Sequence, residues 1–248
     1  LLKVFLIIQK LRLIKNGKIL KKFLIKKIVD QLQSKLKSLP YEIIFINDFS
    51  SDNTVKVTEE LIKTKPQINI YDNKRKGLGG AITQGINKAN GEAICIMMSD
   101  LSDSIDDLEK YYSTIRDENI DAVFGSRFIR GSRIVDYPKK KLILNRIFNI
   151  ITKLLFISDY NDFTNAFKIY KKNALLKTFP LVSESFNIFL ELPLKIISRK
   201  MKYKIIPISW INRKEGTSKF DIKELRAKYL FTLIYCLLEK ILLKKYFI

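Results

Sequence analysis

Short apolar runs that stop abruptly at polar groups take turns along this chain with longer stretches whose apolar positions recur every three or four residues. YEIIFIND (41–48), INIYDN (68–73), GEAICIMMSD (91–100) and DAVFGSR (121–127) have the apolar density of strands buried on both faces. Between them lie helical patterns. IVDQLQSKLKSL (28–39) is stopped by Pro40, VKVTEELIKTK (55–65) follows the Ser/Asp-rich SSDNT, GLGGAITQGINKAN (77–90) is a glycine turn feeding a helix, and IDDLEKYYSTIRDEN occupies 105–119. Strands alternating with helices predict an α/β unit with a mostly parallel sheet, in which ligands bind beyond the carboxyl ends of the strands.

Two later stretches are amphipathic. In LILNRIFNIITKLLFI (142–157), Asn145, Arg146, Asn149, Thr152 and Lys153 fall on one helical face, and Ile143, Ile147, Ile150, Ile151 and Leu154 on another. At 1.5 Å per residue this helix is about 24 Å long, short for a membrane span; its apolar face suits either a membrane surface or the core, with core packing the expectation. The stretch from Ile222 to Ile248 has a stronger apolar face and a basic end, LLKKYFI, which suits a membrane surface or a partner helix. No uncharged apolar run reaches the roughly 18 residues of a spanning helix. YLFTLIYCLL (229–238) meets Glu239 and Lys240, so no transmembrane segment is expected. The basic start lacks a small-residue cleavage site, so no signal peptide is expected either.

Composition narrows the chemistry. The 248 residues are 47% hydrophobic, ample for a core, and contain no histidine, so imidazole bases and imidazole metal ligands are excluded. Cys95 and Cys236 lie far apart in apolar runs and read as buried thiols in a reducing, cytoplasmic compartment. Lys+Arg 46 against Asp+Glu 25 gives +21, a charge that attracts anionic surfaces, although a lysine-rich codon bias would produce it too. The basic residues are not interleaved with aromatics in any recognisable module, so nucleic acid is not an expected partner.

The strand ends carry Asp48, Asp100 and Arg127, polar groups placed where apolar runs stop. Asp48 in NDFSSDNT can accept hydrogen bonds from a nucleobase or ribose, or equally close an Asx-turn. KRKGLGGA offers close backbone approach beside Lys74, Arg75 and Lys76, chemistry suited to a diphosphate, though without dinucleotide-loop spacing. In MMSDLSDSIDD, carboxylates at Asp100 and Asp103 suit Mg²⁺ or Mn²⁺, whereas Asp106 and Asp107 read as acids in the first turn of a helix; Asp103 is open to either reading.

Taken in order, these segments resemble the family-2 glycosyltransferases, and within them the dolichol-phosphate mannose synthase-like branch, from about Ile28 to Phe220. The family's Asp-Asp-Gly-Ser is similar to NDFS, with Asp48 in the nucleotide-binding role and Asn47 and Phe49 departing from the pattern. Its Gly-x-Gly-x-Ala matches Gly77, Gly79 and Ala81, and its Asp-x-Asp falls on Met98, Ser99 and Asp100, so only the second aspartate remains. Gly-Ser-Arg is intact at Gly125, Ser126 and Arg127. DFTNAFK resembles Asp-x-Thr-Ser-Gly-Phe-Arg, keeping Asp162, Thr164 and Phe167 with Lys168 in place of arginine. Arg-x-x-Gly-x-Ser-Lys is matched by Arg213, Gly216, Ser218 and Lys219.

The resemblance implies a GT-A (nucleotide-diphospho-sugar transferase) fold over residues 1–220, followed by a C-terminal amphipathic helix over 221–248. It implies that Asp48, Gly77, Gly79, Arg127, Ser218 and Lys219 hold the nucleotide sugar and its phosphates, and that Asp162, Thr164 and Lys168 lie on the acceptor side. It further implies that Asp100 holds the metal, for which Asp103 is a candidate helper by its own position, and that Asp100, Glu191 and Arg213 are catalytic. The family's opening Pro-x-Tyr-Asn-Glu has no counterpart in residues 1–27, which contain nine Lys/Arg and no acid. An altered or truncated N-terminus is therefore expected there, with KVFLII (3–8) still available as a first strand. The implied reaction moves a hexose from a nucleotide-diphosphate sugar to polyprenyl phosphate, with inversion, at the cytoplasmic face of an anionic membrane. A phosphate acceptor needs no general base; a hydroxyl acceptor would, and Glu191 in FLELPLK stands at the family position for one. A non-catalytic relative that binds nucleotide or membrane is the third reading.

Overall fold

The computed structural model describes residues 2–8, 17–37, 39–50, 54–98, 102–212 and 222–243, with side chains at those positions other than 2–24, 54, 57 and 222–226. Strand β1 (Leu2–Ile8) leads through α1 (Gly17–Lys35) to β2 (Tyr41–Asn47), α2 (Thr54–Thr64), β3 (Ile68–Asp72), α3 (Leu78–Lys88), β4 (Ala93–Met98), α4 (Asp106–Asp117) and β5 (Ala122–Ser126). The chain continues through β6 (Arg133–Val135), α5 (Lys139–Phe156), β7 (Lys168–Lys171), α6 (Lys172–Lys177), α7 (Ile188–Ser198), β8 (Tyr203–Pro207), β9 (Ser209–Ile211) and α8 (Ile222–Leu243).

Seven strands form one sheet in the order β3-β2-β1-β4-β7-β5-β8, and β6 pairs with β9 in a small parallel ribbon. Only β7 runs against its neighbours β4 and β5, which makes the sheet mostly parallel as expected. Residues 2–8 form an interior strand of it: β1 pairs in parallel with β2 from Leu2↔Tyr41 to Ile8↔Asn47, and with β4 from Leu2↔Ala93 to Ile7↔Met98. The atypical N-terminal stretch thus supplies the strand that joins the two halves of the sheet.

The period of two along β2 divides its side chains between two cores. Ile43 and Phe45 join the helices α1 and α4 on one face, and Ile44 and Ile46 join α3, α6 and α7 on the other. Both sets are buried, the hallmark of a strand covered on both sides.

Helix α5 is turned opposite to expectation. Asn149 and Thr152 are fully buried, while Ile143, Ile147, Ile150, Ile151 and Leu154 are 47–70% exposed. The reason lies in what its inner face meets. Instead of the apolar sheet, it packs on the 158–165 segment, whose backbone needs hydrogen-bond partners: Phe163 N donates to Asn149 Oδ1 at 2.6 Å, and Asn145 Nδ2 donates to Thr164 Oγ1 at 2.6 Å. Among the described residues no helix is long and apolar enough to cross a membrane.

Candidate active site

The registers bring the carboxyl ends of β1, β2, β3 and β4 to one edge of the sheet, because Ile8 stands opposite Asn47, Ile7 opposite Met98 and Asn47 opposite Asp72. Asp48 follows directly. Its Oδ1 accepts from Gly77 N and from Asn73 Nδ2, both at 2.8 Å, and Asn73 Nδ2 also reaches Gly77 O at 3.1 Å. One carboxylate oxygen therefore ties the end of β2 to the glycine turn. Asn73 completes this corner and went unrecognised in the sequence, although its place just past the INIYDN strand could have drawn attention to it. Phe49, at the position where the family pattern has glycine, has φ 53° and is 54% exposed, so the backbone keeps a left-handed conformation without the residue that favours it.

The glycines serve the protein's own backbone. Gly77 has φ 109°, and a Cβ at Gly79 would lie 1.8 Å from Ser183 O. Gly79 N donates to Glu184 O at 3.1 Å. What approaches Gly77 and Gly79, the glycines expected beside a diphosphate, is the 183–184 segment of the chain itself. Lys74, Arg75 and Lys76 remain exposed beside it.

That 183–184 segment is held in turn by Glu191. Its Oε1 accepts from Val182 N at 2.9 Å and its Oε2 from Ser183 N at 2.8 Å, and Lys195 Nζ lies 3.1 Å from Oε1. Glu191 is fully buried. Lys195 also pairs with Glu239 at 3.4 Å, and Arg199 bonds the same carboxylate, linking α7 to α8. Both oxygens of Glu191, the residue expected as a catalytic base, are thus engaged by backbone and ammonium, and the carboxylate anchors the 182–183 segment.

At the end of β5, Arg127 and Asp162 form a buried bidentate pair. Nη2 reaches Oδ1 at 2.7 Å, while Nε and the Arg127 backbone N reach Oδ2 at 2.8 and 2.9 Å. The guanidinium also lies 5.3–5.7 Å from the rings of Phe128, Tyr137 and Trp210. Burial alone would lower the pKa of Arg127, but the Asp162 charge and hydrogen bonds outweigh it and hold it above its ordinary value. Arg127, expected at the phosphates, and Asp162, expected on the acceptor side, thus satisfy each other internally. Tyr160 and Asn165 reinforce the same corner: Tyr160 Oη donates to Gly125 O and Asp162 O, and Asn165 Nδ2 to Gly125 O.

Lys168, expected on the acceptor side, is buried as well. At 1% exposure it points from β7 into the interior, where Nζ donates to Phe163 O and Asn165 O. Burial pushes its ammonium down to about 7, against the opposing pull of Asp162. Thr164 is partly buried and engaged with Asn145.

Asp100, Arg213, Ser218 and Lys219 lie outside the described residues. Asp103 is 6% exposed and bridged to Trp210, and next to burial itself its charge is what raises the Cys95 thiol. A divalent ion needs several oxygen ligands with open access, and among the described residues no group of three candidate ligands gathers. Asp100, the other expected ligand, lies outside the residues so compared, so the pair Asp100 and Asp103 is not described together.

The glycosyl transferase family 2 profile matches residues 22–179, well over half of the chain. The chain belongs to glycosyl transferase family 2. It is 25% identical over 197 residues to glycosyltransferase AglD of Haloferax volcanii, and 24% identical over 201 residues to a dolichol-phosphate mannosyltransferase of Pyrococcus furiosus. These matches cover 78% and 80% of this chain but only 31% and 56% of those relatives, so the chain spans less than two thirds of either. Its fold is similar to glucosyl-3-phosphoglycerate synthase from Mycobacterium tuberculosis in complex with UDP, with a TM-score of 0.65, 13% identity, and coverage of 95% of this chain and 79% of that one. The complex of that synthase with Mn²⁺ and UDP-glucose gives a TM-score of 0.64 at 13% identity, with coverage of 96% and 78%. The family-2 chain therefore has the GT-A fold that its motifs imply.

Proposed function

We propose that this chain transfers a hexose from a nucleotide-diphosphate sugar to polyprenyl phosphate, with inversion, at the cytoplasmic face of a membrane. The observation that carries this reading is the state of Glu191. A hydroxyl acceptor needs a base, and the carboxylate at the family position for one is sealed and doubly hydrogen-bonded. A phosphate acceptor is already an anion and needs none. The similarity to a dolichol-phosphate mannosyltransferase supports the same acceptor class.

In this reading Asp48, fixed by Asn73 and Gly77, receives the nucleoside, while the exposed Lys74–Lys76 cations and Arg213, Ser218 and Lys219 attract and enclose the phosphates. Mg²⁺ or Mn²⁺ at Asp100 would neutralise the diphosphate leaving group. The chain is tested by incubation with radiolabelled nucleotide sugars, membranes and a divalent ion. Label in the lipid fraction supports the reading, and its absence with every common donor rejects it. Label in a water-soluble product would instead indicate a hydroxyl acceptor. Glu191→Gln separates anchor from base: it should lower stability by about 1–3 kcal/mol through lost backbone acceptors, and leave the shape of the pH–rate profile unchanged. A large loss of activity together with loss of the acidic limb of that profile, where a base becomes protonated, would restore the catalytic role.

A further inference from the structure

The helices α5 and α8 lie side by side with both apolar faces turned outward. Phe148 meets Tyr229 edge-on at 5.7 Å toward one end, and Lys240 Nζ donates to Phe156 O at 2.6 Å toward the other, so the helices run in the same direction. Their inner faces are satisfied: Asn149, Thr152 and Phe156 on α5, and Thr232, Leu233 and Cys236 on α8, are buried. Their outer faces carry Ile147, Ile151 and Leu154 on one helix and Phe231, Ile234 and Leu238 on the other, all 47–70% exposed. Ile157, which ends α5 in a left-handed conformation, is 89% exposed.

Adjacent apolar faces of this extent mark an interaction surface, and the charges around it select the partner. Residues 139–156 contain Lys139, Lys140, Lys141, Arg146 and Lys153 and no carboxylate. On α8, Glu239 turns inward to Lys195 and Arg199. A second copy pairing through α5 would set these cations against their own kind. An anionic lipid surface would complement them while covering the apolar rows.

We propose that the outward faces of α5 and α8 form one membrane-docking surface, with both helices lying in the interfacial plane of an anionic bilayer. The inner face of α5 then gains a use. Through Asn145 and Asn149 it carries the 158–165 segment, which docking would hold at headgroup level beside the end of β5. The docking stands without the transfer reaction; only its use, presenting a lipid phosphate to the site, rests on the function proposed above.

Co-sedimentation of the chain with phosphatidylcholine vesicles, with and without phosphatidylglycerol, tests this. Binding is expected to the anionic vesicles and to weaken with salt. Ile151→Asp combined with Leu154→Asp should weaken it about tenfold or more, because two apolar side chains leave the bilayer and two like charges enter the interface. Replacing Lys139, Lys140 and Lys141 by glutamine should reduce binding to anionic vesicles only. These positions are exposed, so circular dichroism and melting should remain those of the parent chain. As an independent readout, an environment-sensitive dye on Leu154→Cys should shift to the blue on binding, the native Cys95 and Cys236 being buried. Absence of vesicle binding, binding indifferent to the aspartate pair, or a dimer that the pair dissociates without any vesicle binding would each overturn the proposal. Vesicle binding with no label in lipid from any donor rejects the transfer reaction and leaves the docking standing. Labelled lipid without vesicle binding does the reverse.

Discussion

Helices α4 and α5 are both amphipathic, and they are installed opposite ways round. In α4, Leu108, Tyr111 and Ile115 face the sheet, and Glu109, Lys110 and Arg116 face away from the core. In α5 the amides face inward and the isoleucines outward. A helical period identifies two faces, but the neighbour decides which is buried. Helix α4 meets Val123 and Ile169 from the sheet and the neighbouring Phe167, a layer that is apolar apart from the Tyr111 hydroxyl, which donates to Phe167 O. Helix α5 meets a turn whose backbone N–H and C=O groups would be orphaned against leucine, so the polar face is the better filler.

The largest expected effect breaks the α4 side. Leu108→Asn places an amide in an apolar layer with no partner for its four hydrogen-bonding sites, and should cost about 4 kcal/mol or more in urea unfolding. The corresponding reversal on α5, Asn149→Leu, is a polar-to-apolar change that would stabilise an ordinary core. Here it strands Phe163 N and should destabilise by about 2 kcal/mol. A stabilised Asn149→Leu variant would mean that α5 packs the conventional way and that its isoleucines are not the outer face.

The polar interior capped by α5 extends to Lys168, whose Nζ donates to Phe163 O, and this gives the two sides different pH responses. Burial pushes the folded Lys168 down to about 7, while an unfolded lysine titrates near 10.4. Between those values the unfolded chain holds a proton that the folded chain has released, so stability rises with pH from about 7 upward. The slope is at most about 1.4 kcal/mol per pH unit, and about 1 kcal/mol between pH 7.5 and 8.5. The chain has no histidine to obscure this window. Above about pH 8.5 the buried Cys95 and Cys236, both raised by burial, act in the opposite sense, since the unfolded thiols lose protons first. Urea titrations of the parent and of Lys168→Met across pH 6.5–8.5 should differ in slope. Parallel lines would show that Lys168 stays charged in the folded state.

The same contrast explains what the residues revealed. Strands β2 to β5 and helices α2 to α4 follow from local period, because each buries an apolar face against apolar neighbours. The reversed β7 does not: KIYK is four residues long, begins on a buried lysine, and carries no local mark of its direction. Asp48 was legible as a strand-end acid, but its partner Asn73 was not, since a lone asparagine after a strand has many uses. Arg127 and Asp162 were each visible in motifs. Their pairing was not, because a contact between residues 35 apart leaves no trace in spacing. The internal partners of Glu191 and Lys168 were not legible either, because a charged residue in an apolar stretch reveals nothing of the backbone groups it satisfies.

The smallest expected effect sharpens the comparison most. Ile150→Asn removes a β-branched apolar residue from the middle of a helix and replaces it with an amide, a change that in α4 would be severe. On α5 Ile150 is 47% exposed, so the cost should stay within about 0.5 kcal/mol in the same urea titration. Helix propensity changes little, since isoleucine and asparagine lie close on the intrinsic scale. A near-zero change beside the losses at Leu108 and Asn149 would show in one assay that α5 keeps its apolar face outside in solution. A loss of about 2 kcal/mol or more would instead place Ile150 in a packed interface, either within the chain or with a second copy. Repeating the titration at tenfold dilution would separate those two, because only an interface between copies makes stability depend on concentration.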